Sequence, residues 1–272
     1  MRSRWRLPLR YTVLGYLALL ILLPVGTVFY RAFQHGLGAA WDAVTAPDAV
    51  HALWLTILVA LIAVSCNTVF GVGVSIILAR HRFPGAWLLD ALVDIPLALS
   101  PVVIGLSLIL VYGHSGWFGD WLAAHGIHVI FSVPGIVLAS MAVSLPYVVR
   151  EVLPVLQEIG TEQEQAARTL GARPFTVFRR ITLPNIRRGL AYGVTLTTAR
   201  VLGEFGAVAI VSGAIAGKTQ TYTIFIANSI DNLDPQSAYA GAVVLCIAAL
   251  LVLTVLTLTD RGREDWHRKA PA

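Results

Sequence analysis

Six long apolar stretches limit what this chain can fold into more than any other feature of its sequence. They cover approximately residues 11–30, 52–79, 95–112, 130–149, 189–212 and 238–259. The hydrocarbon core of a bilayer is roughly 30 Å thick, and a helix of about 20 apolar residues crosses it. Only 13% of the residues are charged, whereas a soluble domain carries about 25%. We therefore predict an all-α integral membrane protein with six transmembrane helices.

The basic residues indicate which side of the membrane each loop occupies. If the six spans alternate, 17 of the 20 lysines and arginines fall on one side, and the exceptions are Arg31, Lys218 and Arg200. Loops rich in Lys and Arg remain in the cytoplasm, so both termini are expected there. The first stretch follows four arginines, as a signal peptide would. It is too long for the apolar region of a signal peptide and no small-x-small cleavage site follows, so we interpret it as a retained span.

The stretch VSGAIAGKTQ, residues 211–220, is close to a phosphate-binding loop. Gly217, Lys218 and Thr219 match the second half of the Walker pattern, in which bare backbone amides wrap the phosphates. The first glycine of that pattern belongs at a position occupied by Ser212. The loop also lies on the side away from cytoplasmic ATP. We therefore predict no nucleotide site in this chain.

Metal, disulfide and catalytic sites are not indicated either. His114, His125 and His128 lie in an external segment without the cysteines or clustered carboxylates that complete a ligand set. Cys66 and Cys246 are far apart inside apolar runs and are interpreted as packing residues. A membrane-embedded enzyme needs titratable groups clustered at one depth, and no histidine lies within a span. We therefore predict a protein that is not an enzyme.

The cytoplasmic segment 160–188 is too long for a simple turn and carries helix signals of its own. Thr161 and Glu164 fit a capping box, in which a hydroxyl and a carboxylate reciprocally satisfy free backbone amides. Residues 162–170 are good helix formers. Gly171 suits the left-handed conformation that closes a helix. A first short helix is therefore predicted here.

A second short helix is predicted from Pro174 towards Ile181, with Pro184 ending it. Phe175, Phe178 and Ile181 recur at three-residue intervals and are expected on one side. Small or apolar residues of the first helix and a rim of arginines surround them: Ala166, Ala167, Leu170, Arg168, Arg173, Arg179 and Arg180. The composition fits an interfacial element with arginines at lipid headgroups, and it fits equally a surface on which a soluble partner docks.

A resemblance separates these two interpretations. QAARTLGARPFTVFRRITLP, residues 165–184, resembles the cytoplasmic signature of permease subunits of bacterial ABC importers: Glu-Ala-Ala, three residues, Gly, nine residues, Ile-x-Leu-Pro. Six residues match at every required spacing: Ala166, Ala167, Gly171, Ile181, Leu183 and Pro184. Gln165 stands where the family has Glu, with Glu164 beside it. The resemblance implies that these residues couple the chain to a separate ATPase.

The resemblance extends from about residue 50 to residue 259 and is to sulfate/thiosulfate permease subunits, of the W type rather than the T type. Four stretches carry it: DIPLALSPVVIGL, LPYVVREVLPVL, RRITLPNIRRGLAYGV and LTTARVLGEFGAVAIVSG. It implies the type I importer permease fold in a bacterial inner membrane. We divide the chain into residues 1–48 with the first span and an external loop, a permease domain 49–260, and a cytoplasmic tail 261–272.

The resemblance also implies the partners of this chain. They are a cytoplasmic ABC ATPase dimer that binds ATP and magnesium, a second permease subunit of the T type, an extracytoplasmic sulfate/thiosulfate-binding protein and membrane lipid. No cofactor in this chain and no nucleic-acid partner is expected. A molybdate or tungstate permease is the alternative within the family. An ion-coupled secondary anion transporter is the alternative outside it, although that class predicts more intramembrane carboxylates or paired broken helices.

Two groups of polar residues at membrane depth are candidates for the pathway. Arg200 and Glu204 lie four residues apart and can pair, since each alone would cost on the order of 2.5–3.5 kcal/mol at mid-membrane. The pair either orients its helix, or it lets Arg200 contact a dianion while Glu204 keeps binding weak. Ser100, Pro101 and Ser107 supply hydroxyls and free backbone groups, either at a kink satisfied by neighbouring helices or along a cavity.

Overall fold

The computed structural model describes the backbone of residues 6–267 and the side chains of residues 10–252 and 254. All regular elements in this range are helical, which confirms the all-α prediction. The outer ends of the predicted segments 1–48 and 261–272 lie outside the described residues, together with Arg2, Arg4, Arg268 and Lys269. The orientation of the termini therefore stays a prediction.

The helices follow one another with short connections. Their bounds are α1 Arg6–Phe33, α2 Gly36–Thr45, α3 Pro47–Arg80, α4 Ala86–Ala98, α5 Pro101–Tyr112, α6 Gly119–Ala124, α7 Val133–Ile159, α8 Glu162–Thr169, α9 Pro174–Val177, a π-helical turn Phe178–Thr182, α10 Leu183–Leu202, α11 Gly206–Ser212, α12 Tyr222–Asp231 and α13 Pro235–His267.

Four helices in the described range are long and apolar enough to cross a membrane: α1, α3, α7 and α13. Two further spans are bent pairs. Helix α4 meets α5 at 115°, and the segment Pro174–Leu202 meets α11 at 55°. The count reaches the predicted six if each bent pair is one span. The third and fifth apolar stretches are thus not the continuous helices that their composition indicates.

The break between α4 and α5 has a local cause. Ser100 is extended, with φ −63° and ψ 138°, because a residue before proline is disfavoured in the helical region. Pro101 then begins α5, where its missing N–H would have no partner anyway. The second break follows Gly203, at the end of α10. Paired broken helices also occur in secondary transporters, so this feature does not separate the two transport classes.

The centre of the bundle is formed by α3, α7 and α10, which pack closely through glycines. A Cβ added to Gly71 would lie 2.7 Å from the Val148 Cβ, and one added to Gly193 would lie 3.1 Å from the Val148 Cα. Small residues let membrane helices approach at their backbones. At the same interface the buried Asn67 donates hydrogen bonds to the Met141 carbonyl (3.0 Å) and the Ser144 Oγ (2.8 Å).

The residues considered for metal or disulfide sites are not brought together in the described part of the chain. Among the described residues no group of three or more His, Cys, Asp or Glu side chains is placed to hold a metal. The His125 Nδ1 lies 2.8 Å from the Trp121 carbonyl, one helical turn away. Cys66 and Cys246 are free and half-buried, on α3 and α13.

Candidate functional site

The predicted cytoplasmic segment begins with α8, which covers residues 162–169 much as expected. Gly171 has φ +82°, the left-handed conformation that closes a helix. The amides that follow α8 bond back to it: Gly171 N–H donates to the Arg168 carbonyl and Ala172 N–H to the Ala167 carbonyl. The helix and its glycine stop were therefore predictable from local signals.

The prediction of a capping box is wrong, because that motif does not form. Thr161 is the N-cap of α8 but makes no side-chain capping bond, and its Oγ1 instead accepts a hydrogen bond from the Gln165 Nε2 (3.0 Å). Glu164 turns into the protein because a better partner stands there. An arginine binds the carboxylate with two charged donors, which stabilise it more than one backbone amide does.

Arg80, at the C-terminal end of α3, is that partner. Its Nε lies 3.2 Å from the Glu164 Oε2, and its Nη2 lies 3.1 Å from the Oε1. The third nitrogen, Nη1, donates to the Leu156 carbonyl near the end of α7 (2.8 Å). The Thr182 hydroxyl donates to the Glu164 Oε1 (2.9 Å). Glu164 is only 8% exposed, so we expect no direct contact between its carboxylate and a soluble partner.

The second helix of the segment differs from its prediction. Helix α9 ends at Val177, a π-helical turn follows over Phe178–Thr182, and α10 continues from Leu183. Pro184 does not end the helix. It occupies the first turn of α10, where proline is tolerated because the missing N–H is not needed.

The predicted apolar face is also divided. Val177 is buried and Phe178 packs against the core cluster that contains Leu156 and Ile186, while Phe175 is 71% exposed. Ile181 is half-buried. A period of three residues does not hold across the π-helical turn, which has more residues per turn than an α-helix.

Two large apolar side chains remain on the outer surface of the segment. Leu170 is 88% exposed and Phe175 is 71% exposed. Gln165, Ala166, Gly171 and Pro184 are exposed beside them, and Ala167 and Leu183 are half-buried. The rim is formed by exposed arginines: Arg173, Arg179 and Arg180. Exposed apolar side chains with a polar rim mark interaction sites. We call this set, from Gln165 to Pro184, the docking surface.

The two broken spans meet in the structure. A Cβ added to Gly206 would lie 3.1 Å from the Pro101 Cβ, and one added to Gly105 would lie 2.8 Å from the Ala207 carbonyl oxygen. Helix α5 therefore packs directly on α11, with the two breaks side by side. This juxtaposition brings the third-span and fifth-span candidates together, although they are about a hundred residues apart in the chain.

The predicted ion pair is present, but its setting differs from the prediction. The Arg200 Nη1 lies 2.5 Å from the Glu204 Oε2. Glu204 stands beyond the end of α10, in the break, and is 3% exposed. Its Oε1 accepts a hydrogen bond from the Ala207 N–H (2.8 Å), and its carbonyl accepts one from the Thr223 Oγ1 (2.8 Å). Glu204 thus stabilises the start of α11, while the Arg200 side chain is 29% exposed.

The serines of the third span are accessible. Ser100 is exposed and makes no side-chain capping bond. Ser107 is also exposed, and its hydroxyl donates to the Val103 carbonyl of the same helix (2.9 Å). The proton of the Ser107 hydroxyl is already used in that hydrogen bond, so Ser100 is the better hydrogen-bond donor towards an anion.

A further charge cluster, which is partly exposed, was not predicted. Arg150, on α7, lies 2.7 Å from the Asp94 Oδ1 through its Nε and 2.9 Å from the Asp90 Oδ1 through its Nη2. Asp90 and Asp94 are one turn apart on α4, so the cluster fastens α4 to α7. Nothing in the local sequence pairs these residues, because 56 positions separate Asp94 from Arg150.

Comparison with known families gives one match that covers most of the chain. Residues 71–261 match the family described as "Binding-protein-dependent transport system inner membrane component". The match includes the docking surface, both broken spans, all of α7 and α10, and the last turns of α3 from Gly71 to Arg80.

Similar curated proteins are sulfate transport permeases. The sulfate transport system permease protein CysW of Synechocystis sp. is 49% identical over 257 residues, which cover 94% of this chain and 92% of that protein. CysW of Escherichia coli is 42% identical and covers 93% of this chain and 87% of that protein. CysT of Salmonella typhimurium is 40% identical and covers 93% and 92%.

Solved structures with the same fold are more distant in sequence. A chain of a bacterial ABC transporter involved in the import of the acidic polysaccharide alginate superposes with a TM-score of 0.77 at 14% identity, covering 94% of this chain and 96% of that one. A chain of the alginate transporter in complex with a periplasmic protein gives 0.74 at 13% identity, covering 95% and 94%. At this identity the likeness concerns the fold alone.

Proposed function

Because this chain belongs to the family of binding-protein-dependent transport system inner membrane components, we propose that it is a permease subunit of an ATP-driven sulfate importer. Family membership and the apolar helices make it a multi-pass inner-membrane protein. Its identity of 49% to a sulfate permease along nearly the whole of both chains carries the proposal. Thiosulfate, an oxyanion of the same charge, is the expected second substrate.

The chain works with other subunits in this proposal. An ATPase dimer supplies ATP binding and hydrolysis, with magnesium, because we infer no nucleotide site here. A second permease subunit completes the pathway, in keeping with the W-type and T-type relatives. An extracytoplasmic binding protein delivers the anion, as the family description implies.

The docking surface is the proposed contact with the ATPase. Leu170 and Phe175 project from it, and Ala166 and Gly171 beside them are small enough to let a partner approach closely. Burying two large apolar side chains would stabilise the contact by about 1.5–3 kcal/mol each. Gln165 is exposed and offers an amide rather than a charge. Glu164 contributes from inside, by holding α8 in place.

The junction of the two breaks is the proposed pathway element. Arg200 is the cation at this level, and Ser100 and the backbone near Pro101 add neutral donors. Ser107 lines the pathway further along α5 without donating to the anion, because its proton is bonded to the Val103 carbonyl. Glu204 offsets part of the charge of Arg200 across 2.5 Å. A neutralised arginine binds a dianion weakly, and a weak site suits a transporter that must release its substrate.

Uptake of radiolabelled sulfate tests this function. Cells with and without the chain are compared, with excess unlabelled thiosulfate or molybdate as competitors. We expect sulfate uptake that depends on the chain, that thiosulfate suppresses and that molybdate leaves unchanged. Suppression by molybdate with little sulfate uptake would instead assign the chain to molybdate. Uptake abolished by a protonophore while ATP persists would indicate an ion-coupled carrier.

A further inference from the structure

Helix α8, which carries part of the docking surface, is attached to the rest of the chain by few constraints. It has eight residues, and left-handed glycines flank it on both sides: Gly160 with φ +69° and Gly171 with φ +82°. Its other ties are side chains. The Gln163 Oε1 accepts a hydrogen bond from the Asn185 Nδ2 (2.9 Å) at the exposed surface, and Glu164 makes the buried contacts with Arg80 and Thr182.

These two ties reach different parts of the bundle. Asn185 lies at the start of α10, which is already continuous with the segment. Arg80 lies at the end of α3, 84 positions before Glu164 in the chain. Chain connectivity alone would pass a displacement of α8 to α7 and α10. The Arg80–Glu164 pair adds α3, which does not adjoin α8 along the chain.

We expect the Arg80–Glu164 pair to stay intact while α8 moves. Both side chains are about one-tenth exposed, and the crevice around them, lined by Leu156, Ile181 and Thr182 among others, has no space for a water molecule. Separating two charges in such a place would leave each without solvent or partner, which is strongly unfavourable. An exposed pair would exchange with water instead.

Movement of α3 would reach the other end of the bundle. Helix α3 runs for 34 residues, about 50 Å at 1.5 Å per residue. Far from Arg80, its Thr56 Oγ1 accepts a hydrogen bond from the Tyr222 N–H of α12 (2.8 Å). Tyr222 follows the loop that connects α11 to α12, and α11 packs on α5 at the breaks. A rigid α3 therefore links the docking surface to elements beside the proposed pathway.

We propose that the Arg80–Glu164 pair is a transmission joint, which passes the displacement of α8 to α3 and so couples ATP hydrolysis to opening of the pathway. Arg80 and Glu164 are positioning residues in this mechanism, since neither touches substrate or nucleotide. The proposal rests on the proposed function, because a joint matters only if α8 receives movement from an ATPase.

The test uses the complete importer, with both permeases, the ATPase and the binding protein, reconstituted in liposomes. Sulfate uptake and ATP hydrolysis are measured together, and their ratio is the readout. Glu164→Gln alone leaves Arg80 buried without a counter-charge, so poor assembly is expected from it. The informative variant is Arg80→Met with Glu164→Gln, which removes both charges and keeps the crevice filled. The matched control is Gln163→Ala with Asn185→Ala, which removes the exposed tie on the same helix.

For the double-neutral variant we expect an assembled importer in which sulfate taken up per ATP hydrolysed falls by about tenfold, within the usual range of coupling effects. The control pair is expected to change the ratio by less than about twofold, since α10 stays covalently linked. An unchanged ratio in the double-neutral variant would overturn the joint and leave the pair a purely structural contact. Absence of sulfate uptake by the wild-type importer would overturn the proposed function instead.

Discussion

Replacing Gly171 by aspartate is the sharpest test of the docking surface, because the substitution is expected to destabilise the chain itself only slightly. No atom lies within 4 Å of a Cβ added to Gly171, whose φ is +82°. A residue other than glycine costs about 1–2 kcal/mol in the left-handed region, and a carboxylate at a helix C-terminus costs about 0.3–1 kcal/mol more. The sum, about 1–3 kcal/mol, is below the 5–15 kcal/mol stability of a typical domain. The variant is therefore expected to fold and insert.

Two controls separate the charge from the backbone strain. Gly217→Asp introduces the same residue at another left-handed glycine with open space, φ +69°, in the segment between α11 and α12. Gly171→Asn keeps the position and the approximate size without a charge, and asparagine tolerates the left-handed region. We expect Gly171→Asp to lower ATP-driven sulfate uptake by about tenfold or more, which corresponds to about 1.4 kcal/mol of lost docking energy. Both controls should retain most of the uptake.

The assay combines three measurements: the amount of chain in the membrane, the amount of ATPase that copurifies with it, and sulfate uptake. Normal insertion with loss of both ATPase and uptake is the expected pattern for Gly171→Asp. Equal losses in Gly217→Asp would attribute the defect to backbone strain. Full uptake by Gly171→Asp, with the ATPase bound, would refute the assignment of the docking surface.

The close packing at Gly71, the ion pair of Arg200 and the burial of Tyr222 each give a further prediction. Gly71→Ala places a Cβ 2.7 Å from the Val148 Cβ, whereas Gly73→Ala meets nothing within 4 Å. We expect only Gly71→Ala to lower the free energy of unfolding, by about 1–3 kcal/mol. A lower thermal midpoint in detergent would show this. Arg200→Gln with Glu204→Gln, which removes both charges of this pair, should reduce uptake without loss of the assembled complex, and unchanged uptake would remove Arg200 from the pathway. Burial raises the pKa of Tyr222 to about 12, so the stability it contributes is present below pH 10 and is lost as pH rises through 12. Tyr222→Phe should lose less stability than the wild type over this pH range, measured as unfolding midpoints in a pH series.

Local signals predicted much of the fold. The apolar stretches located the spans because a helix must be long enough to cross the membrane, and the extent of α8 followed from its composition and from Gly171. Pro101 indicated irregular backbone in the third span. The angle of 115° there does not follow from Pro101 alone, since α5 also packs closely on a distant part of the chain, with Gly105 against Ala207.

The wrong predictions share one physical cause. Capping boxes, helix periods and proline stops are local rules, and each gave way where a tertiary contact or an altered helix geometry was more favourable. Glu164 pairs with Arg80 instead of with the first amides of α8. The π-helical turn leads directly into α10, so the chain stays helical through Pro184. A contact across 84 positions leaves no periodic trace in a single sequence, so the Arg80–Glu164 pair could be found only in the structure.

The neighbouring residues Glu164 and Gln165 show how this chain separates two tasks on one helical turn. The family signature has a glutamate at the position of Gln165, which is exposed here. The carboxylate next to it, Glu164, points inward and is 8% exposed. Successive residues of a helix point about 100° apart, so one cannot replace the other. In the proposed docking, position 165 therefore offers the ATPase no charge, while the inward charge of Glu164 is kept. We therefore propose that docking depends more on Leu170 and Phe175, while the charge of Glu164 serves to attach α8 to α3.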